Sequence, residues 1–232
     1  MRVLNVVAAR STWLFELADL NPKGKSLFPE IIDWLKDTYN FKEAPELAAK
    51  VDDSKGLPFK KGEFQAREEV FVDVELTMFN DGLVANSSSS TEDTDKFLEN
   101  VIASAVMEYN LTFDPSMVRR KLYMSELNVR LDQPLANLNP RLSQFARKIS
   151  SMNTSAGGNP FEVGGLSFWT DSTYTVTKTP PFMIERKLNA PFNENRFLTK
   201  APLQTEQHIA VLRELEEMLT VQPVGPPTWP PK

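Results

Sequence analysis

The 232-residue chain has no cysteine and one histidine. The lack of cysteine excludes disulfides, thiolate metal sites and cysteine nucleophiles, and argues against a small disulfide-stapled secreted protein. The lone His208 cannot build a histidine-rich zinc site, and we expect it to be partly exposed in the first turn of the last helix. Standard phosphate-binding loops are missing as well, because neither G-x-x-x-x-G-K-[ST] nor G-x-G-x-x-G occurs.

Excess positive charge and long apolar runs are also missing. The formal net charge is −5 and the isoelectric point is about 5.1. This balance argues against nucleic acid as the main partner, because proteins that neutralise many phosphates carry basic surfaces. No stretch approaches the roughly 18 apolar residues of a membrane span, and the N-terminal segment lacks the apolar core of a signal peptide. We therefore expect a cytoplasmic protein without a membrane partner, or a component of a particle assembled in the cytoplasm.

A β-hairpin is the clearest structural signal. Residues Val70 to Phe79 alternate apolar and polar side chains, as a half-buried strand does. The Asp81-Gly82 pair that follows is typical of a tight hairpin turn. Next come capping hydroxyls and acids, and then a wide apolar stripe at helical spacing, which predict a helix over 92–109.

Weaker periodicities predict the remaining elements. Helices are expected at 28–39, at 140–149 and from Thr205 onward, with strands at 12–18, 121–131, 165–170, 173–177 and 182–188. Segment 42–65 is predicted to be a long connection around a short helix near 45–50. This order is not the strict βα alternation of a doubly wound sheet. The predicted fold is therefore α+β, with a largely antiparallel sheet and helices mostly on one face.

The domain prediction is one α+β domain over residues 1–220, followed by a separate tail. The glycine-rich segment 150–165 is the best internal candidate for a mobile loop or a domain boundary. In the tail, residues 221–232, five of twelve residues are prolines. Such a segment cannot be a helix or a central strand and favours the extended polyproline conformation.

One candidate chemistry is metal-dependent hydrolysis. On a strand, Glu185 and Lys187 would share one face, and Asp171 lies upstream. An aspartate followed at a distance by Glu-x-Lys resembles the PD-(D/E)xK nuclease pattern, although Thr170 stands where that pattern has proline. The resemblance implies that the acids hold a divalent cation such as Mg²⁺ and that the lysine stabilises developing charge. The alternative is an exposed, charged strand face.

A second acidic pair lies on the polar face of the hairpin. Asp73 and Glu75 could bind a metal or act as acid and base, alone or together with Asp171 and Glu185. The competing interpretation is that they face water on a half-exposed antiparallel sheet.

The C-terminal segments point to protein interaction instead. Pro227, Trp229 and Pro230 form a stiff proline-rich motif with a large apolar side chain, which suits docking to a partner. The segment 189–202, with Phe192 and Phe197, reads as an extended arm that packs on a neighbouring chain. The tail could equally fold back on its own domain or be disordered.

The leading hypothesis is accordingly a non-catalytic assembly or interaction subunit without a cofactor. It would bind other protein chains, among them copies of itself, through the arm and the tail. The alternative is a divalent-metal nuclease or related hydrolase that uses Asp171, Glu185 and Lys187. A third hypothesis is a small-molecule sensor, because an α+β sheet can hold a pocket that sequence does not reveal.

Overall fold

The computed structural model describes residues 1–21, 24, 28–46, 55–154, 157–171, 173 and 179–220. Over these residues the chain forms four α-helices and an eight-stranded antiparallel sheet, which confirms the predicted α+β class. The elements run β1 (Arg2–Leu14), α1 (Phe28–Thr38), β2 (Leu57–Arg67), β3 (Val70–Phe79), β4 (Gly82–Ser87), α2 (Thr91–Tyr109), β5 (Arg120–Arg130), α3 (Pro140–Thr154), β6 (Gly165–Phe168), β7 (Phe182–Arg186), β8 (Arg196–Ala201) and α4 (Thr205–Thr220). The strand order in the sheet is β2-β3-β4-β1-β5-β8-β7-β6.

Contacts divide the chain into two compact units. The larger unit comprises residues 6–127 and 201–207, and the smaller unit comprises 1–5, 128–200 and the residues from 208 onward. Segment 150–165 lies wholly within the smaller unit. A single domain over 1–220 stays a prediction, as does a domain boundary at 150–165.

The predicted hairpin is present as β3 and β4 of the larger unit. Val74, Leu76 and Met78 are buried, whereas Asp73 and Glu75 are exposed, as the alternation predicts. Gly82 pairs with Leu14 of β1 as well as with the end of β3. A Cβ atom at position 82 would collide with the carbonyl oxygen of Trp13, so only glycine fits there.

Helix α2 covers the apolar side of this hairpin. It starts where the Ser90 hydroxyl accepts a hydrogen bond from the Asp93 amide at 3.0 Å, which satisfies one of the free N–H groups of the first turn. It ends at Asn110, which adopts the left-handed conformation (φ 50°) common after helices. Phe97 and Val101 are buried and belong to the same core cluster as the hairpin's apolar residues.

Two sequence predictions in the larger unit are wrong in their extent. Residues Leu57–Arg67 form β2, paired with β3, rather than the end of a long connection. The register shifts between Phe59 and Gly62, and Lys61 has a positive φ of 57°, so a bulge interrupts the alternation that would have revealed the strand. Strand β1 begins at Arg2 and ends at Leu14, earlier than predicted. The predicted short helix near 45–50 lies mostly outside the described residues.

The smaller unit contains a three-strand antiparallel stretch. Strand β7 pairs with β6 on one side, through Gly165 to Glu185, and with β8 on the other, through Ile184 to Thr199. The predicted strands at 165–170 and 182–188 are confirmed with shorter extents, and the strand predicted at 173–177 falls mostly outside the described residues. The prediction of an extended arm over 189–202 is wrong for its second half, because residues Arg196–Ala201 are strand β8.

Candidate functional site

Helix α3 carries an apolar stripe that the described residues of the chain leave unburied. Leu142, Phe145, Ile149 and Met152 follow a 3-4-3 spacing, which places them along one face of the helix. None of the fifteen residues of α3 is buried, and Phe145 and Met152 are 63% and 67% exposed. Helices of globular proteins normally bury such a stripe, because burial of each large apolar side chain stabilises by about 1.5–3 kcal/mol.

The stripe is held in a defined position from both ends of the helix. At the start, the Asn139 side chain accepts a hydrogen bond from the Arg141 amide at 3.0 Å. Further along, the Ser150 hydroxyl accepts one from the Phe161 amide at 2.7 Å, and the Asn153 side-chain amide donates to the Asn159 carbonyl at 2.8 Å. The chain that follows α3 therefore folds back along the last turns of the helix, and the Phe161 side chain there is half-exposed.

The charge around the stripe has one sign. Helix α3 carries Arg141, Arg147 and Lys148, all exposed, and no acidic residue. Arg141 and Lys148, seven residues apart, border the stripe along one side, whereas Arg147 lies on the opposite face of the helix. An apolar stripe bordered by cations is complementary to an apolar surface with an acidic border. It is poorly suited to pairing with a second α3, which would place like charges side by side.

The outer face of α4 has the opposite character. Val211 and Met218 are exposed, lie seven residues apart and so share a face, with exposed Glu214 between them and Glu217 beside them. The inner face holds Leu212 and Leu219 in the core. Among the described residues of α4, Arg213 is the one lysine or arginine.

His208 of α4 is fully buried, so the expectation of partial exposure is wrong. Its ring packs edge-on against Phe182 of β7, with ring centroids 5.6 Å apart. The lone histidine therefore belongs to the packing of the smaller unit. The sequence spacing alone did not indicate this, because the partner ring lies more than twenty residues away in the chain.

Two of the predicted partner-binding residues surround one arginine. Arg186 at the end of β7 stacks on the rings of Phe192 and Phe197, at 4.6 and 5.1 Å from the ring centroids. Phe197 is completely buried in β8, so the prediction that it contacts a partner is wrong. Phe192 is 43% exposed and its carbonyl accepts a hydrogen bond from Arg186 at 2.9 Å. Burial lowers the pKa of the Arg186 guanidinium from its ordinary value, and nearby Glu162 opposes that shift.

The residues of the nuclease hypothesis occupy ordinary exposed positions. Asp171 accepts hydrogen bonds from the Thr173 amide and hydroxyl at 2.9 and 2.8 Å, and these bonds hold the pKa of the Asp171 carboxyl below its usual range. Glu185 is exposed on β7, and Lys187 is exposed just beyond the end of that strand. The Asp171 carboxylate thus serves to close a local turn.

The second acidic pair lies in the larger unit. Asp73 and Glu75 share the exposed face of β3, in a shallow depression that Lys42 and Lys61 also line. Lys61 forms an ion pair with Glu43 at 2.5 Å. Over the described residues, which include all four predicted metal ligands, no group of three or more acidic or histidine side chains could hold a metal ion. The proposed joint site of Asp73, Glu75, Asp171 and Glu185 is therefore not formed.

The remaining predicted contact residues, Pro227, Trp229 and Pro230, lie outside the described residues. No protein-family model matches the chain, and no curated protein matches it at a significant level. In the part of the chain that the structure describes, no helix is both long and apolar enough to cross a membrane.

Proposed function

We propose that this protein is a non-catalytic assembly subunit and that the exposed stripe of α3 is its contact surface. The observation that carries the proposal is a fifteen-residue helix with apolar side chains at a 3-4-3 spacing, none of them buried. Exposed apolar surface of this kind marks interaction sites in folded proteins. The helix is about 22 Å long at 1.5 Å per residue, which is enough to lie along one partner helix.

The partner that we propose is a second copy of this chain, which would offer the outer face of α4 to α3. The cations Arg141 and Lys148 would then meet Glu214 and Glu217, and the α3 stripe would cover Val211 and Met218. A two-fold axis repeats this contact, because each copy supplies one α3 and one α4, and it closes the assembly as a dimer. A stable dimer buries about 800 Å² on each copy, which two helix–helix contacts with the flanking Phe161 would help to supply.

The first experiment measures the native mass of the full chain by sedimentation equilibrium. We expect a dimer at about 100 µM, where a complex of micromolar affinity is saturated. The double variant Phe145→Ser/Met152→Ser should be monomeric under the same conditions. Met107→Ser is the matched control, because Met107 is 86% exposed on α2, outside the proposed contact. A wild-type chain that stays monomeric at this concentration refutes the proposal.

A charge-exchange experiment tests the identity of the two faces. Arg141→Glu/Lys148→Glu makes both contact faces acidic, and Glu214→Lys/Glu217→Lys makes both basic. Each variant alone should lose self-association, because like charges would then face each other across both contacts. A mixture of the two should form a one-to-one dimer, since every contact then pairs opposite charges. Homodimers of either variant, or a mixture that remains monomeric, would show that α3 does not meet α4 of a second copy.

A further inference from the structure

The larger unit contains an apolar cavity of about 440 Å³. It lies between the short 3-10 helix Leu17–Leu20, helices α1 and α2, and the end of the β3–β4 hairpin. Its walls are mostly aliphatic and aromatic and include Leu20, Ile31, Trp34, Leu83, Val101 and Ile102. The volume falls in the range of about 300–1,000 Å³ that small-molecule sites occupy.

The cavity is partly open to solvent and is a cleft in the core rather than an enclosed void. Several of the wall residues, among them Leu35, Met78 and Ile102, belong to the main hydrophobic cluster of the unit. The cavity is therefore bounded by the best-packed part of the structure, which makes its shape preformed.

The lining contains few polar groups. Glu16, Asn21 and Asn80 are the polar residues among those that line it. The Glu16 carboxylate forms an ion pair with Arg119 at 3.2 Å, so its charge is partly balanced by a cation outside the lining. Among the described lining residues there is no lysine or arginine.

These features define a class of ligand. An apolar body fits the walls, and one hydrogen-bonding end group would meet the carboxylate and the amides at Glu16, Asn21 and Asn80. A carboxylate ligand does not fit, because its charge would be desolvated beside Glu16 without a lining cation to pair with it. We propose that this cavity binds a small uncharged amphiphile, an apolar molecule with a single hydroxyl or amide end.

The site is independent of the proposed assembly function. It lies entirely in the larger unit, whereas α3 and the outer face of α4 belong to the smaller unit. Dimerisation can therefore fail while ligand binding succeeds, and the reverse also holds.

The test uses 1-decanol and decanoate as probes with the same chain length. Isothermal titration of the full chain at pH 7 should show saturable binding of decanol with one site per chain. Decanoate should bind at least tenfold more weakly. Decanol should also raise the melting temperature, because a ligand that binds only the folded state stabilises it. No decanol binding overturns the inference, and equal binding of decanoate overturns the ligand class.

A space-filling variant locates the ligand. Ala105 lies in the cavity wall on α2, so Ala105→Phe should place its ring in the cavity and reduce decanol affinity at least tenfold. Met107→Phe introduces the same ring on the same helix at an exposed position and should bind decanol as the wild type does. If Ala105→Phe binds decanol normally, the ligand lies elsewhere.

A second variant covers the case in which Ala105→Phe does not fold. Ala18 lines the cavity and is itself exposed, so a larger side chain there obstructs the opening without overpacking the hydrophobic core. Ala18→Phe should weaken decanol binding at least tenfold and leave the melting temperature of the unliganded protein unchanged. Unaltered affinity in a folded Ala18→Phe variant overturns the assignment.

Discussion

Two helical phenylalanines, Phe97 and Phe145, should respond very differently to the same substitution by alanine. Phe97 of α2 is fully buried, and its ring lies 5.1 Å from that of Tyr39 and 5.4 Å from that of Phe64, measured between centroids. Loss of a buried phenylalanine ring costs about 3–5 kcal/mol. We expect the upper part of that range, since each aromatic pair adds about 0.5–1.5 kcal/mol.

Phe145 of α3 is 63% exposed, so its ring contributes little to the stability of a monomer. Surface substitutions usually change the unfolding free energy by less than about 0.5 kcal/mol. Alanine also has a higher helix propensity than phenylalanine, by about 0.5 kcal/mol. Phe145→Ala should therefore leave the unfolding free energy of the monomer nearly unchanged.

Urea unfolding followed by circular dichroism measures both effects. At a protein concentration low enough to keep the chain monomeric, Phe97→Ala should shift the midpoint strongly and Phe145→Ala should not. At high concentration Phe145→Ala should become less stable than the wild type, because dimerisation stabilises only the chain that can dimerise. A cost above about 1.5 kcal/mol for Phe145→Ala at low concentration would mean that the ring is packed in the monomer. The assembly proposal would then lose the observation that carries it.

Three further predictions concern the rest of the chain. Burial raises the pKa of Asp93, but hydrogen bonds from Ser89, Ser90 and Arg67 outweigh it and hold the pKa below the usual range. The stabilisation from this carboxylate is therefore present above the unfolded pKa of about 3.9 and is lost as the pH falls through the lower folded value. Asp93→Asn should thus be less stable than the wild type at pH 7 by about 1–3 kcal/mol. The difference in urea midpoint between the two proteins should vanish in strong acid. A difference that stays constant with pH would contradict the lowered pKa of Asp93. Gly82→Ala should lower the melting temperature by several degrees through the collision with the Trp13 carbonyl, and an unchanged melting temperature would argue against that close approach. Deletion of residues 221–232 should leave the circular dichroism spectrum unchanged. A smaller number of chains in the native assembly than the full chain forms would support the predicted docking role of the tail.

The local signals in the sequence were sufficient for most of the elements. The strict alternation before Asp81-Gly82 and the capped apolar stripe of α2 each point to a single structure, because strand and helix periods differ and turn residues mark the boundaries. Where a bulge broke the alternation, as at Lys61 in β2, the signal disappeared although the strand pairs with β3 on both sides of the bulge. The prediction for the segment around Phe197 failed for a different reason. In β8 every second side chain is buried, namely Phe197, Thr199 and Ala201. Polar Thr199 is buried and apolar Leu198 is 37% exposed, so the hydropathy of the sequence does not follow the alternation.

The candidate sites depended on tertiary structure to a greater degree. The spacing of Leu142, Phe145, Ile149 and Met152 already predicted an amphipathic helix, but only the folded chain shows that its described residues leave the stripe uncovered. Periodicity records which face of a helix is apolar, and it carries no information about what packs there.

The cavity and the acidic pairs also show which features depend on tertiary structure rather than on sequence. The lining residues of the cavity come from segments up to about ninety positions apart, so no sequence window contains them. Asp171 and Glu185 carried a motif-like spacing, yet the chain uses Asp171 to close a turn and leaves Glu185 exposed on a strand. By itself the sequence determined most of the secondary structure and the α+β class, because these follow from local periodicity and turn chemistry. Only the tertiary structure decided which side chains meet and which remain uncovered, because that depends on contacts between residues distant in the chain.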